Sequence, residues 1–292
     1  MDRMTFQLPG GFVDDDGQVH DQVILSPLCG FAEKMMAARG HTPSAALATA
    51  LLSRCIESIG TCGEVSKSMV RRLLVGDRLF LLLKLREMTF GRSIQAVITC
   101  TWPDCGARVD IDFAAENIPV TASPQQSLQH RLQLTPAAGG HIVTFRLPNG
   151  EDQEMLAHLL DYAETSAADR LLARCLQSID AVHPPAMDDI AKLSDTAKAE
   201  VEEEMERLAP KLGTSMEALC PECGRSFTAT FDVQEFILAE MTTQLDLLLK
   251  EVHYLAYHYH WSEKEILGMT KENRRRYIEV LAGEMERLNH AL

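Results

Sequence analysis

Apolar side chains recur at helical spacing in two segments of closely similar sequence. Leu51–Ile59 reads LLSRCIESI, and Leu171–Ile179 reads LLARCLQSI. Both patterns predict an amphipathic helix with one apolar face, and Gly60 is expected to end the first of them. Cys55 and Cys175 lie on these apolar faces, where a small buried hydrophobic residue is a better interpretation than a catalytic thiol.

The two helices belong to a longer repeat. They lie 120 residues apart, from position 51 to position 171, and the same offset carries Cys100 onto Cys220. Upstream, MTFQLPGG at Met4–Gly11 matches VTFRLPNG at Val143–Gly150 with an offset of 139. The difference of 19 residues equals the length of Phe12–Gly30, which is predicted as a hairpin around the turn sequence DDDG, inserted only in the first half. The sequence therefore predicts an internal duplication.

The pattern as a whole predicts an α+β fold, namely a mainly helical duplicated scaffold. A third helix is predicted in each half, at Ser66–Met88 and at Ser194–Leu212. Three charged clusters on helices are interpreted as solvated faces, and they are Arg71-Arg72, Arg274-Arg275-Arg276 and the acidic run from Glu200 to Glu204. The predicted parts are a first repeat at 1–113 that includes the hairpin (12–30), a linker at 114–142 with one short strand at His130–Leu134, a second repeat at 143–232, and a C-terminal helical arm at 233–292.

The C-terminal arm begins with a long apolar period over Val233–His260, which predicts a long helix. Ser262 and Glu265 form a capping-box sequence that opens a short helix, and Thr270 is expected to cap the last one. Aromatic residues concentrate where the long helix ends, and four residues are predicted as a partner-binding surface: Tyr254, Tyr257, His258 and Trp261. The histidines there do not suggest a metal site or a general base, because no carboxylate lies at a helical ligand spacing from a histidine pair.

Two cysteine pairs have the form of zinc knuckles. Four residues separate Cys100 from Cys105, two separate Cys220 from Cys223, and each pair is followed by glycine and a predicted strand. A glycine at that position permits the tight turn that aims backbone N–H groups at a thiolate. Four thiolates complete a tetrahedral site without an open position, so we expect one structural zinc ion that joins the two repeats. The alternative is two separate redox or incidental pairs.

The composition narrows the function. Acidic residues outnumber basic ones by 42 to 28, and the resulting net charge of −14 disfavours nucleic-acid binding. The sequence has no long uncharged apolar stretch and no signal-peptide pattern, so an intracellular protein without a membrane partner is expected. None of the common nucleotide, hydrolase or metalloprotease motifs occurs. We therefore expect a non-enzymatic protein without a small-molecule substrate.

Several parts of the sequence resemble one known family. They are LPGGFVDDDGQVHDQVILSPLCG, the segments LLSRCIESIG and VGDRLFLLLKLREMTFG, the two cysteine knuckles, and LLKEVHYLAYHYHWSEKEILGMT. They resemble the baseplate hub and baseplate-assembly proteins of T-even-type contractile phage tails and of extracellular contractile injection systems, in particular the members that carry a zinc ribbon. The resemblance covers most of the chain.

This resemblance implies a structural or chaperone-like assembly component of a baseplate or hub, with no catalytic residues to transfer. Its partners would be other baseplate or hub proteins, spike proteins or tape-measure proteins. It would be found in the cytoplasm of the bacterial host during assembly, and also in the assembled tail or injection particle. The alternative function is a zinc-ribbon adaptor of a nucleic-acid-associated complex, which the negative charge disfavours.

Overall fold

A computed structural model describes residues 3–38, 40–157, 164–180, 182–213, 215–242 and 245–290. Helix makes up 49% of the chain and strand 24%, which confirms the predicted α+β class. The helices are α1 (Gly30–Ala37), α2 (Ser44–Cys55), α3 (Lys67–Arg72), α4 (Val75–Phe90), α5 (Gly150–Ala157), α6 (Glu164–Cys175), α7 (Met187–Lys192), α8 (Asp195–Leu208), α9 (Val233–Thr242), α10 (Leu245–Tyr259), α11 (Glu263–Leu267) and α12 (Lys271–His290).

The strands form small antiparallel sheets. They are β1 (Met4–Val13), β2 (Val19–Leu25), β3 (Ile56–Ile59), β4 (Ser93–Thr99), β5 (Arg108–Ala114), β6 (Val120–Thr121), β7 (His130–Gln133), β8 (Ile142–Phe145), β9 (Leu176–Ile179), β10 (Lys211–Leu212), β11 (Ser215–Leu219) and β12 (Ser226–Thr230). Two sheets have three strands, in the orders β1-β2-β3 and β7-β8-β9, and the others pair β4 with β5, β6 with β10 and β11 with β12.

The two three-stranded sheets occupy equivalent places in the chain. The elements α1, α2, β3 and α3 begin and end 120 residues before α5, α6, β9 and α7, respectively. In each half two strands precede the first helix, the third strand of the sheet follows the second helix, and a two-stranded hairpin with a cysteine pair comes after the helices. The offset of 120 residues found between the two similar sequences is therefore also the offset between corresponding helices of the structure.

Strand pairing differs from the predicted arrangement of the first hairpin. Met4 pairs with Leu25 in the first sheet, and His130 pairs with Phe145 in the second. Since Leu25 and Phe145 are 120 residues apart, β2 corresponds to β8 and β1 corresponds to β7. A hairpin is therefore present in both halves. LPGG lies at a bulge within β1 and LPNG ends at the first residue of α5, so the two motifs are not structurally equivalent.

The helix predicted at Ser66–Met88 is divided into α3 and α4. Leu73 and Leu74 between them are extended, with ψ of 138° and 150°. The backbone there forms a bridge to Asn149, and the N–H of Gly150 donates to the carbonyl of Leu73 at 3.1 Å. A long-range backbone contact therefore overrides a local pattern that is continuous in helical spacing.

The other predicted helices have shifted ends. The helices predicted at Leu51–Ile59 and Leu171–Ile179 end at Cys55 and Cys175, because the last four residues of each pattern form strands β3 and β9 in the two sheets. The helix predicted at Ser194–Leu212 is α8, in which Ser194 caps the start by accepting from the N–H of Ala197 and Pro210 follows the end. The long helix predicted at Val233–His260 comprises α9 and α10, and residues 243–244 of that prediction lie outside the described residues.

The described residues form three apolar clusters. The largest covers the first sheet with α1, α2, α4 and α9, the second covers the second sheet with α6, α7 and α8, and a small third cluster surrounds the cysteine hairpins. Cys55 and Cys175 are buried in the first two, which confirms their interpretation as core residues. In the described part of the chain, the helices are too short or too polar to cross a lipid bilayer.

Candidate metal centre

Two hairpins present the cysteine pairs. In β4–β5 the N–H of Cys100 donates to the carbonyl of Ala107 at 2.8 Å, and in β11–β12 the N–H of Cys220 donates to the carbonyl of Arg225 at 3.0 Å. The same backbone closure therefore forms both knuckles, despite loops of different length between the cysteines.

The glycine after each pair is required by its backbone conformation. Gly106 has a φ of 61° and Gly224 a φ of 69°, both in the left-handed region. A side chain at either position would be strained because of its Cβ atom. This conformation lets the backbone of each hairpin turn back into a strand shortly after the second cysteine.

The four thiols converge on one point. All four Sγ atoms lie within 4.8 Å of one another. The Sγ atoms of Cys100 and Cys223 are 4.0 Å apart, and those of Cys105 and Cys220 are 3.7 Å apart. A tetrahedral zinc with bonds of about 2.3 Å separates its sulfur ligands by about 3.8 Å, while a disulfide needs about 2.05 Å. The donor set therefore fits a tetrahedral metal ion and does not form disulfides.

The pKa values of the clustered thiols are shifted in opposite directions. The backbone N–H of Arg225 and the guanidinium of the same residue lower the pKa of Cys223 to about 6. Although the Ala107 backbone N–H lowers the pKa of Cys105, burial and the neighbouring thiols raise it to about 12. Burial likewise raises the pKa of Cys100. Four thiolates this close repel one another, and a divalent cation at their centre would allow all of them to ionise.

Contacts outside the thiols hold the two knuckles together. Arg225 Nη2 donates to both carboxylate oxygens of Asp104 at 2.7 Å, and its guanidinium lies 4.4 Å from the ring centroid of Trp102. The indole N–H of Trp102 donates to the carbonyl of Ser226 at 3.0 Å. Sequence reasoning missed Trp102, Asp104 and Arg225, although each lies within two positions of a cysteine or its glycine. They link two hairpins more than 100 residues apart in sequence.

The four predicted partner-binding residues lie in the second half of α10 and directly after it. Tyr257 is 70% exposed, while Tyr254 is half-buried and places its hydroxyl 3.4 Å from Met285 Sδ. The Trp261 ring stacks on Tyr259 at 4.6 Å and meets Tyr277 edge-on at 4.8 Å. His258 contacts the rings of both Tyr254 and Tyr257. Two predicted caps nearby are confirmed, since Ser262 and Glu265 form a capping box and Thr270 accepts from the N–H of Asn273.

Sequence reasoning also missed three buried arginines. Arg78, Arg86 and Arg274 are at most 3% exposed. The interpretation of Arg274-Arg275-Arg276 as a solvated face is therefore wrong for its first member, which pairs with Glu33 and Glu251. A single basic residue gives no sequence signal of burial, because the groups that pair with it, such as Gln153 for Arg78 and Glu33 for Arg274, lie far away in the sequence.

The chain matches two protein families. A family model described as T4 bacteriophage base plate protein matches residues 27–238, and a family of unknown function matches residues 240–292. The first match spans well over half of the chain and includes all four cysteines. The chain belongs to the T4 bacteriophage base plate protein family, and it is therefore a baseplate component of a phage tail. No curated protein and no solved structure matches it.

Proposed function

We propose that this protein is a non-enzymatic structural or chaperone-like assembly component of a contractile-tail or injection-system baseplate or hub. The observation that carries the proposal is the base plate family match over residues 27–238. Its partners are other baseplate or hub proteins, spike proteins or tape-measure proteins, and it acts in the bacterial cytoplasm during assembly. The net charge of −14 favours protein partners over nucleic acid.

We further propose that the four cysteines hold one structural zinc ion. The sulfur separations and the left-handed glycines support it, as does the complete set of four soft ligands, which leaves no open coordination position for catalysis. The ion would link the hairpin that follows the first series of helices to the hairpin that follows the second. Such a site stabilises the folded state directly.

The same elements support an internal duplication. Four successive elements recur at an offset of 120 residues, and the two sheets to which β3 and β9 belong share one strand order. In this interpretation each repeat contributes one knuckle to the metal centre. Residues 233–292 then add a C-terminal helical arm, which carries the predicted partner residues Tyr257 and Trp261.

The role in assembly can be tested by deleting the gene from its tail cluster and examining the tails by electron microscopy. We expect tails without complete baseplates, restored by a plasmid copy of the gene. Mass spectrometry of purified wild-type particles then separates the two forms of the proposal: a structural component is present at fixed stoichiometry, and an assembly factor is absent. Normal numbers of normal tails from the deletion strain would refute both forms.

A further inference from the structure

The turn between α3 and α4 receives a distant segment of the chain. The N–H of Val75 donates to the carbonyl of Pro148 at 3.3 Å, and the N–H of Gly150 donates to the carbonyl of Leu73 at 3.1 Å. Gly150 is the first residue of α5, so an extended segment crosses the turn and then opens a helix. Gln153, three residues after this glycine, accepts from Nε of the buried Arg78 at 3.0 Å.

The turn between α11 and α12 receives a second segment in the same way. Cys29 forms a bridge with Thr270, and the N–H of Gly30 donates to the carbonyl of Met269 at 3.1 Å. Gly30 opens α1, and Glu33, again three residues after the glycine, accepts from the buried Arg274 at 2.9 Å. In both cases, therefore, an extended segment that ends in glycine docks on the extended turn between a short helix and a longer one.

Neither docked segment has room for a side chain at its glycine. A Cβ atom on Gly150 would lie 2.7 Å from Arg78 Cζ and 2.9 Å from the carbonyl oxygen of Arg71. A Cβ atom on Gly30 would lie 2.9 Å from Leu267 Cα. The glycine is thus a steric requirement of the docking itself.

The two receiving turns also match in sequence position. Ser66 caps α3 and Ser262 caps α11, each by accepting from the N–H three residues later. The buried arginine follows each serine by 12 residues, at positions 78 and 274. This spacing defines the receiving unit as a short helix, an extended turn and a longer helix.

A third unit of this form is α7 and α8. Its turn, Leu193–Asp195, lies 120 residues after positions 73–75, and Lys198 stands at the position of Arg78. Lys198 Nζ donates to Asp169 at 2.8 Å, and Asp169 is the counterpart of Thr49, which Arg78 contacts in the first unit. The third unit therefore has the short helix, the extended turn and a cation at the position of Arg78, whereas Ala186 replaces the capping serine.

This third turn is uncovered within the residues that the structure describes. Ser194, Asp195 and Thr196 are exposed, whereas their counterparts Leu74 and Val75 are half-buried and Gly76 is buried. Ala168 on the adjoining α6 is also exposed, whereas its counterpart Ala48 is fully buried. No described residue is hydrogen-bonded to the N–H of Asp195 or to the carbonyl of Leu193.

We propose that the turn Leu193–Asp195 is the docking site for a different protein chain. That chain supplies an extended segment that ends in glycine, opens a helix at this glycine, and carries an acidic residue three positions later to meet Lys198. A second copy of this protein is not the occupant, because its own two segments of this form are already docked internally. Two of the three units thus hold a segment from within the chain, and the unit α7–α8 is left to receive one from outside.

The experiment uses the full-length protein and a fluorescent peptide with the sequence of residues 26–37, SPLCGFAEKMMA, as the probe. Asp195→Pro removes the N–H that the docked carbonyl needs, yet proline suits the first position of a helix, and Ser194 already has the extended ψ of 155° that proline requires. Asp195→Ala is the matched control that keeps the N–H. We expect saturable binding that Asp195→Pro weakens roughly fivefold to tenfold and Asp195→Ala leaves within about twofold.

Two further measurements locate the binding. A peptide with Gly30→Ala should not bind, and a photoreactive group at the position of Cys29 should crosslink to the α7–α8 turn. Equal binding to the Asp195→Pro and Asp195→Ala proteins would overturn the proposal. So would binding of the alanine peptide, crosslinking at Met269–Lys271, or the absence of saturable binding up to about 1 mM peptide.

Discussion

Arg274 Nη2 donates to both carboxylate oxygens of Glu33 at 2.9 Å, although 241 residues separate the two in the sequence. Nε of the same guanidinium donates to Glu251 at 2.7 Å. Arg274 lies in the segment that matches a family of unknown function, whereas Glu33 lies in the base plate segment. A buried ion pair therefore joins the two family segments.

Replacing Arg274 with methionine should be strongly destabilising. Arg274→Met removes the cation that pairs with the buried Glu33 and leaves Glu251 with the longer 3.9 Å contact to Arg275. We expect the free energy of unfolding to fall by about 3 to 5 kcal/mol. Urea denaturation followed by circular dichroism measures this loss. Arg276→Met is the control, since Arg276 is 70% exposed and pairs with the equally exposed Glu272. Equal stabilities of the two variants would contradict the role assigned to Glu33.

Replacing Cys220 with serine should remove the metal. We expect elemental analysis to find one zinc per chain in the wild-type protein and none in Cys220→Ser. The variant should also fail to show the cooperative thermal unfolding transition at the temperature where the wild type unfolds. Cys62→Ser is the control, because Cys62 lies outside the thiol cluster. Loss of zinc from the Cys220 variant with an unchanged transition would show that the metal is not structural.

Replacing Gly150 with alanine should loosen α5 from the α3–α4 turn. The added Cβ atom would lie 2.7 Å from Arg78 Cζ, so the helix must move and give up the hydrogen bond from Gly150 to Leu73. We expect a loss of about 2 kcal/mol or more. Gly283→Ala in the exposed helix α12 should instead stabilise by up to about 1 kcal/mol, because no atom lies near its added methyl group. Similar effects of the two substitutions would be evidence against tight docking at Gly150.

Asp77 should make stability depend on pH. Its carboxylate accepts from the N–H of Gly10 at 2.7 Å, but burial raises its pKa from 3.8 to about 7, with the N–H groups of Gly10 and Gly11 opposing the shift. The folded state therefore retains a proton that the unfolded state releases above about pH 4, so this contribution to stability is lost as the pH rises towards 7. A shift of this size corresponds to up to about 4 kcal/mol.

The matched variant is Asp77→Asn, which cannot ionise. Urea unfolding between pH 4 and pH 8 should show the stability of the variant rising relative to the wild type across this range, because only the wild type loses the Asp77 contribution. The difference between the two proteins isolates Asp77 from the other acidic groups. Parallel stability curves would mean that Asp77 titrates normally in the folded protein.

The sequence by itself determined the features that depend on short spacing. The cysteine pairs with their glycines, the offset of 120 residues, the capping box at Ser262 and the apolar faces of α2 and α6 follow from neighbouring residues, because turn and helix geometry are local properties. These predictions also limited the function to a protein without recognisable catalytic motifs.

Only the tertiary structure decided which distant segments meet. The division of the predicted helix at Leu73, the hairpin in both halves and the burial of Arg78 and Arg274 all depend on partners far away in the chain. A local pattern contains no record of such partners: Leu73 and Leu74 fit a continuous helix until the segment before Gly150 is placed beside them. The backbone hydrogen bonds and buried charges formed there outweigh helical propensity, which amounts to less than about 1 kcal/mol for most residues.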